Sequence, residues 1–543
     1  MVFGKSYQVV LRRIQTSRKL KQFSNKLVQV RIFSTLSNQD NIQKNLNQDN
    51  NESLIFSSQD HIYNQNTSQI KEEVKKNQER DKVAKQLDVH KNSQPDRQSL
   101  RTIDTLPRLQ LNNQRISKVQ FEQFHESLQQ ELDAVKENQL SFPIRQHDFQ
   151  NMGVYLKYYF NNYGDSFQVN TDYNALRTRQ FENQVIRYFG ELYNVPQECD
   201  LWGYMPSGQT ESNFQAVYFA REYFRNHKNV AVIYTDKTDE SINEAIYYLK
   251  LNTFGHVARS LNLEPPAGMK EWNDKVPHNS AGQMETESLK AILKPLAEQK
   301  IPVLIIANVG TTSCCSYDST TAIINALKTY EFYNDPKNHW VHVDDAWCGP
   351  YLRFLEIAST TSGYNFLPIK TINEAKFDFS LKEVKSITTC IHKWIPCPFP
   401  SSVLIIKDKQ LMPKDHLQNT YIRGQDNLLY TSRSGHIPLL TWDYLMKKTL
   451  NDHIDDAVSA YNMANYVYQE LIELQNELNI DLKVQKTQVG LNIGFKKPSD
   501  DICYKYGLMV MGDEAHIFIM PDKTKQLCDM FLDDLRNEMR LRK

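Results

Sequence analysis

The sequence predicts an α/β protein: a large, mostly parallel sheet with helices on both faces, a small α+β unit at the carboxyl end and a disordered amino-terminal extension. Three observations predict it. Between residues 196 and 450, apolar runs of strand length ("NVAVIYT", "PVLIIANVG", "HWVHVDD", "SITTCIH", "SSVLIIK") alternate with helical stretches ("SNFQAVYFAREYFRNH", "ESLKAILKPLAEQ", "TAIINALKTYEFY"). After residue 451 the order changes to one long helix and three short apolar runs. The first third lacks the apolar density that a core needs. Strands that are apolar throughout bury both faces, which is the condition of a parallel sheet between two helical layers.

From the amino end, no Asp or Glu occurs up to Asn38, while Lys5, Arg12, Arg13, Arg18, Lys19, Lys21, Lys26 and Arg31 interleave with apolar residues. Residues 1–36 therefore read as a transit peptide, with "VRIFSTLS" as its processing site and a mitochondrial address favoured over a cytoplasmic one; a plain basic tail is the rival reading. Residues 37–119 are Asn/Gln-rich ("NQDNIQKNLNQDNNE") and read as a linker that cannot offset its ordering entropy. Residues 120–195 form a helical segment ahead of the large domain at 196–450. Residues 451–543, with "IDDAVSAYNMANYVYQELIELQNEL", "VGLNIGF", "GLMVMG", "AHIFIMP" and a helix from Thr524, form the small domain.

The chain has 543 residues, 40% of them hydrophobic, enough for one large core or two to three domains. Its formal net charge is zero, so no global field points to nucleic acid or an anionic membrane. Its longest apolar runs fall well short of the roughly 20 residues of a membrane span. Eight cysteines without a CxxC pair give neither a zinc site nor a disulfide framework.

Ligands of open α/β sheets bind beyond the carboxyl ends of the strands. Three polar groups stand there. In "GYMPSGQTESNF" a small-residue turn enters a helix, so Ser207, Gly208, Gln209 and Thr210 offer backbone N–H groups to a phosphate, or an ordinary helix cap. In "VHVDDAWCG" a strand ends on Asp344 and Asp345, either a surface turn or a ligand carboxylate. In "SITTCIHKWIPCPFPSSVLI" a strand ends on His392 and Lys393 before three prolines. A lysine among β-branched and aromatic residues is paired, directed to water, or chemically occupied.

This order of turn, aspartate and lysine resembles the cofactor site of fold-type I pyridoxal-phosphate enzymes. The resemblance sharpens to the group II pyridoxal-phosphate amino-acid decarboxylases, in their histidine and plant-type serine decarboxylase branch, and runs from about Gly153 to Leu535. It rests also on "YYFNNYGDSFQVNTDYNALRTRQFE", on "NVGTTSCCSYD" with Asp318, on "DNLLYTSRSGHIPLLTWDYL", and on "GLMVMGDEAHIFIMPDKT" with Ala515 and His516. It implies that Lys393 carries pyridoxal 5'-phosphate as a Schiff base, Asp344 pairs with the ring nitrogen, Ser207 to Thr210 bind the phosphate, and Thr311 and His392 adjoin the ring. Ser432 would reach the phosphate of the partner subunit in a homodimer with its site at the interface. The implied reaction removes CO2 from an L-amino acid, histidine or serine-like, and leaves a primary amine.

The sequence departs from that pattern at four places. Gln209 and Ser212 stand where glycine is usual, and Cys390 stands where Ser or Asn is. The ring-stacking histidine is replaced by Asp239 or Glu240. The long connection "SGYNFLPIKTINEAKFDF" reads as a surface insertion. Two rival readings follow: a repurposed member that keeps the fold without decarboxylating, and a different pyridoxal-phosphate reaction.

Overall fold

The computed structural model describes residues 117–141, 145, 149–167, 177–347, 349–413, 417–419 and 424–542. Residues 1–36, read from the sequence as a transit peptide, and residues 37–116 of the expected linker lie outside the described residues. With shorter helical turns between them, the elements run α1 (Lys118–Asn138), β1 (Asn161–Tyr163), α2 (Arg179–Leu192), β2 (Trp202–Tyr204), α3 (Gln209–Tyr223), β3 (Ala231–Ile233), α4 (Glu240–Tyr248) and β4 (Asn252–Thr253). Next come α5 (Thr286–Glu298), β5 (Val303–Asn308), α6 (Thr320–Lys328), β6 (His339–Asp345), α7 (Gly349–Ser359), β7 (Val384–Cys390), the single turn α8 (Ile391–Trp394) and β8 (Ser402–Ile406). The remainder is β9 (Leu417–Asn419), β10 (Gly424–Asp426), β11 (Ser432–Ser434), α9 (His436–Met446), α10 (Leu450–Leu478), β12 (Asn492–Lys496), β13 (Met509–Met511), β14 (Glu514–Phe518) and α11 (Lys525–Leu541).

The large sheet has the order β2-β8-β7-β6-β5-β3-β4. The five strands from β7 to β4 are parallel, as the uninterrupted apolar runs require. β8 reverses, pairing antiparallel with both β7 and β2. The chain that leaves β7 therefore turns back beside it, and the Cys390–Ser402 pair closes a tight crest that carries Lys393.

Alternation along β5 shows the two-sided burial. Val303, Ile305 and Ala307 enter one core with α2, α5 and α7, while Leu304 and Ile306 enter the other with α3 and α4. The helices start on sequence-encoded caps: Glu285 accepts from the N–H groups of Glu287 and Ser288, and Thr449 forms a capping box with Asp452. α10 buries Ala457, Ala464, Val467, Leu471 and Leu474 along one stripe and ends on Asn479 in the left-handed region at φ 47°.

The small sheet has the antiparallel order β12-β14-β13, and Ile493, Ala515 and Ile517 join the same core as the large sheet. The connection after α7 is not a surface insertion: Leu367, Ile372, Phe377 and Phe379 are buried in that core, because its apolar residues have no other surface to cover. α1 buries none of its residues and leaves Val119, Phe121 and Leu132 exposed. Among the described residues, no helix is long and apolar enough to cross a membrane.

Candidate active site

The carboxyl ends of β6 and β7 and the amino end of α3 border a cavity of about 880 Å³, within the range of ordinary small-molecule sites. Ser207, Gly208, Gln209, Thr210, His392 and Lys393 all line it, so the turn and the His-Lys crest meet as the sequence indicated.

Gly208 precedes α3 at φ 149°, a conformation that side chains resist, and it provides no side-chain cap. The N–H groups of Gln209 and Thr210 have no intrahelical acceptor and lie at the positive end of a fifteen-residue helix. The Ser207 N–H is engaged, donating to Glu211 Oε2 at 2.9 Å, so the anion-binding part of the turn is shorter than the sequence indicated.

Lys393 is half-buried, with Nζ 3.9 Å from the centroid of the Trp347 ring. Trp347 stacks on Phe518 of β14 at 4.2 Å, which brings the small sheet to the amine. No carboxylate forms an ion pair with Lys393 among the described residues. His392 Nδ1 accepts from the Ser401 N–H at 3.0 Å, and burial lowers its pKa, so the ring is neutral. Burial lifts the Cys390 thiol to about 11, leaving a weak neutral donor.

The adjacent aspartates point apart, as alternate residues of a strand must. Asp345 turns to Tyr193, whose hydroxyl donates to Oδ2 at 2.9 Å, and its pKa is raised well above the usual range by burial. Asp344 receives Gln209 Nε2 on Oδ1 at 2.7 Å and Asn213 Nδ2 on Oδ2 at 2.8 Å. Burial first, then the nearby Asp239 carboxylate, raise its pKa to about 6, against the lowering effect of Asn213, Gln209 and Lys393.

Asn213 belongs to a chain whose donors all resolve. Trp340 Nε1–H donates to Ser386 Oγ at 2.8 Å; because neutral His342 turns its Nε2–H to the Asn213 oxygen, its Nδ1 accepts from the Ser386 hydroxyl at 2.8 Å. His342 Nε2–H then donates to Asn213 Oδ1 at 3.2 Å, as does Thr388 Oγ1 at 3.0 Å. The Asn213 amide passes to Asp344 and to Ser241 Oγ, which donates to Asp239 Oδ1 at 2.6 Å. Burial holds the His342 pKa at about 3, in keeping with this neutral tautomer.

Of the two acidic residues at the stacking-histidine position, Asp239 lines the cavity, while Glu240 begins α4 behind it. Thr311 does not line it: its hydroxyl bonds Ser316 Oγ at 2.7 Å and closes the turn after β5. Ser432 is exposed on β11 and receives Asn161 Nδ2 at 3.2 Å; its neighbours Leu429 and Tyr430, rather than Ser432, border this chain's cavity. Sequence reasoning missed Trp347, Asn213 and Thr388. Only Trp347 carried a signal, being an aromatic residue two positions after the strand-end pair.

Between about pH 4 and pH 6 Asp344 holds its proton in the folded chain and releases it on unfolding, so this carboxyl withdraws stability as pH rises through that window. Asp344→Asn is expected to remove a decline of up to about 3 kcal/mol across that window. Urea midpoints of parent and variant at a series of pH values check it; parallel curves would overturn it.

An amine, a helix amino terminus open to an anion and a buried carboxylate beside the cavity are the chemical partners of an aldehyde, a phosphate and a ring nitrogen, so the donor set fits pyridoxal phosphate. The conserved domain of pyridoxal-dependent decarboxylases matches residues 173–489. The chain is 27% identical over 390 residues to the histidine decarboxylase of Vibrio campbellii, covering 72% of this chain and 87% of that one. It is 26% identical over 402 residues to serine decarboxylase 2 of Oryza sativa subsp. japonica, covering 73% of each. The crystal structure of L-methionine decarboxylase from Streptomyces sp. 590 superposes at a TM-score of 0.72 and 23% identity, covering 80% of this chain and 98% of that one. With more than half of its length matched, and the lysine, carboxylate and helix terminus at the ends of the expected elements, the chain belongs to the pyridoxal-dependent decarboxylase family, whose cofactor is pyridoxal phosphate.

Proposed function

We propose that this chain decarboxylates an L-amino acid of the histidine or serine class, with Lys393 and Asp344 as its catalytic residues and a homodimer as its working form. Support comes chiefly from one cavity that receives both the Lys393 amine and the free N–H groups at the start of α3. The relatives named above supply the substrate class.

Pyridoxal phosphate, when bound, supplies an electron-withdrawing ring that takes up the electron pair left by a departing carboxylate. Lys393, on the cavity wall, would hold the cofactor's aldehyde end through its amine. The N–H groups of Gln209 and Thr210 hold the phosphate at the positive end of α3. Asp344 holds a proton at the ring nitrogen, and Asn213 fixes the carboxylate's orientation. Neutral His392 packs without adding charge. Ser432, exposed here, meets the phosphate end of a second protomer, whose surface also covers the exposed Tyr430 rim and keeps water out.

One observation favours the repurposed reading: Gln209 stands between the cavity and Asp344, with the Asp239 carboxylate on the wall. The purified full chain, loaded with cofactor, is expected to release CO2 and an amine from histidine or serine. Cofactor binding with release from neither would overturn this substrate assignment and favour the repurposed one.

A further inference from the structure

We propose that Gln209 is a displaceable plug: its side-chain amide stands on Asp344 in the place that a ring nitrogen would take, and cofactor binding requires it to swing away. The inference rests on the reading of Asp344 as the ring-nitrogen partner.

Two amides grip the Asp344 carboxylate, and they are not equivalent. Asn213 is fully buried and satisfied. Its Oδ1 accepts from His342 and Thr388, and its Nδ2 donates to Asp344 Oδ2 and Ser241. Every hydrogen-bonding position is matched, so it is a fixed support. Gln209 is only half-buried and lines the cavity. Its two amide hydrogens go to Asp344 Oδ1 and Thr388 Oγ1, each at 2.7 Å, while its Oε1 is buried with no partner among the described residues.

A buried acceptor left without a donor carries a desolvation cost, so this pose is held at a disadvantage that departure relieves. The location makes departure matter. Gln209 lines the cavity, whereas Asp344 is only 4% exposed and lies behind the Gln209 amide. Asn213 already occupies Oδ2, which leaves Oδ1 as the oxygen for a ligand entering from the cavity, and Gln209 covers it. As the first residue of α3, Gln209 has no preceding helical turn to confine its side chain. Its backbone N–H stays at the phosphate position while the side chain moves, so one residue serves the anion and guards the carboxylate.

The test is an equilibrium titration of pyridoxal phosphate into the cofactor-free full chain, for the parent, Gln209→Ala, Gln209→Gly and Asn213→Ala. Removing a plug that must break a hydrogen bond to a charged group is expected to lower the cofactor Kd by about tenfold in both Gln209 variants. Asn213→Ala is expected to raise it, because a support is lost. Gln209 variants with unchanged or weaker binding would overturn the plug, even where the parent binds cofactor normally and the assignment of the site stands. If the parent binds none, that assignment fails in the native chain. Binding restored by Gln209→Ala would still uphold the plug, and its continued absence would overturn it.

Discussion

Lys393→Ala is expected to abolish the cofactor's bound absorbance band and to lower decarboxylation by roughly a thousandfold or more. The lysine sits on the single turn after β7, at the crest created by the reversal of β8. Its amine rests on the Trp347 face at 3.9 Å with no carboxylate partner among the described residues. A lysine that served stability would be tied into an ion pair; this one is free to react. Removing it costs the cation–π contact with Trp347, on the order of 0.5–2 kcal/mol, and no ion pair. On the proposed role of Lys393, activity would lose its covalent anchor. Lys393→Arg keeps the charge but not the nucleophile and should fail equally. Absorbance spectra with and without added cofactor, beside CO2 release, decide it: a retained band in the alanine variant would move the anchor to another residue.

Glu182→Ala is expected to destabilise the fold by about 3–5 kcal/mol. Glu182 and Arg433 are each 1% exposed and bond in a fork, Nε to Oε1 at 3.2 Å and an amino group to Oε2 at 3.1 Å. Glu182 also accepts from Asn162 Nδ2 at 3.1 Å and from the Met205 N–H at 3.0 Å, so it ties β1, β11 and the turn before α3 to α2. Truncation leaves the arginine charge buried beside the turn that Ser207 begins. Replacing both partners with apolar residues, Glu182→Leu with Arg433→Met, is expected to cost less than Glu182→Ala, because no buried arginine is left short of its carboxylate. Urea midpoints read the cycle. A double variant as unstable as the sum of its single variants would show that the pair acts through its separate hydrogen bonds instead.

The sequence carried the strands and the two site residues at their ends because both are local properties. An uninterrupted apolar run such as residues 302–308 has few ways to be satisfied other than as a strand buried on both faces, and a polar residue closing it must stand at the sheet's edge. Strand direction is not local. "SSVLIIK" reads the same in either sense, and only pairing with β7 and β2 makes β8 antiparallel. Side-chain reach is not local either. Gln209 was legible as part of a turn, but its contact with Asp344 depends on where β6 ends relative to α3. Thr311 was assigned by resemblance alone, and its hydroxyl is committed to its own turn. The connection at residues 362–379 looked detachable because its apolar residues are scattered, yet five of them reach the core.

The chain of donors behind Asp344 also insulates it. A proton wire needs groups that can accept on one side and release on the other; an amide nitrogen cannot, and Asn213 interrupts the route from His342 with one. Reversing the chain would require Trp340 Nε1–H to accept, which it cannot do. The interior therefore steadies the carboxylate but conducts no proton to it. Whatever proton Asp344 takes up or gives away travels on the Oδ1 side, through the cavity, so the charge state of this buried group is set by what enters from solvent rather than by the core that encloses it.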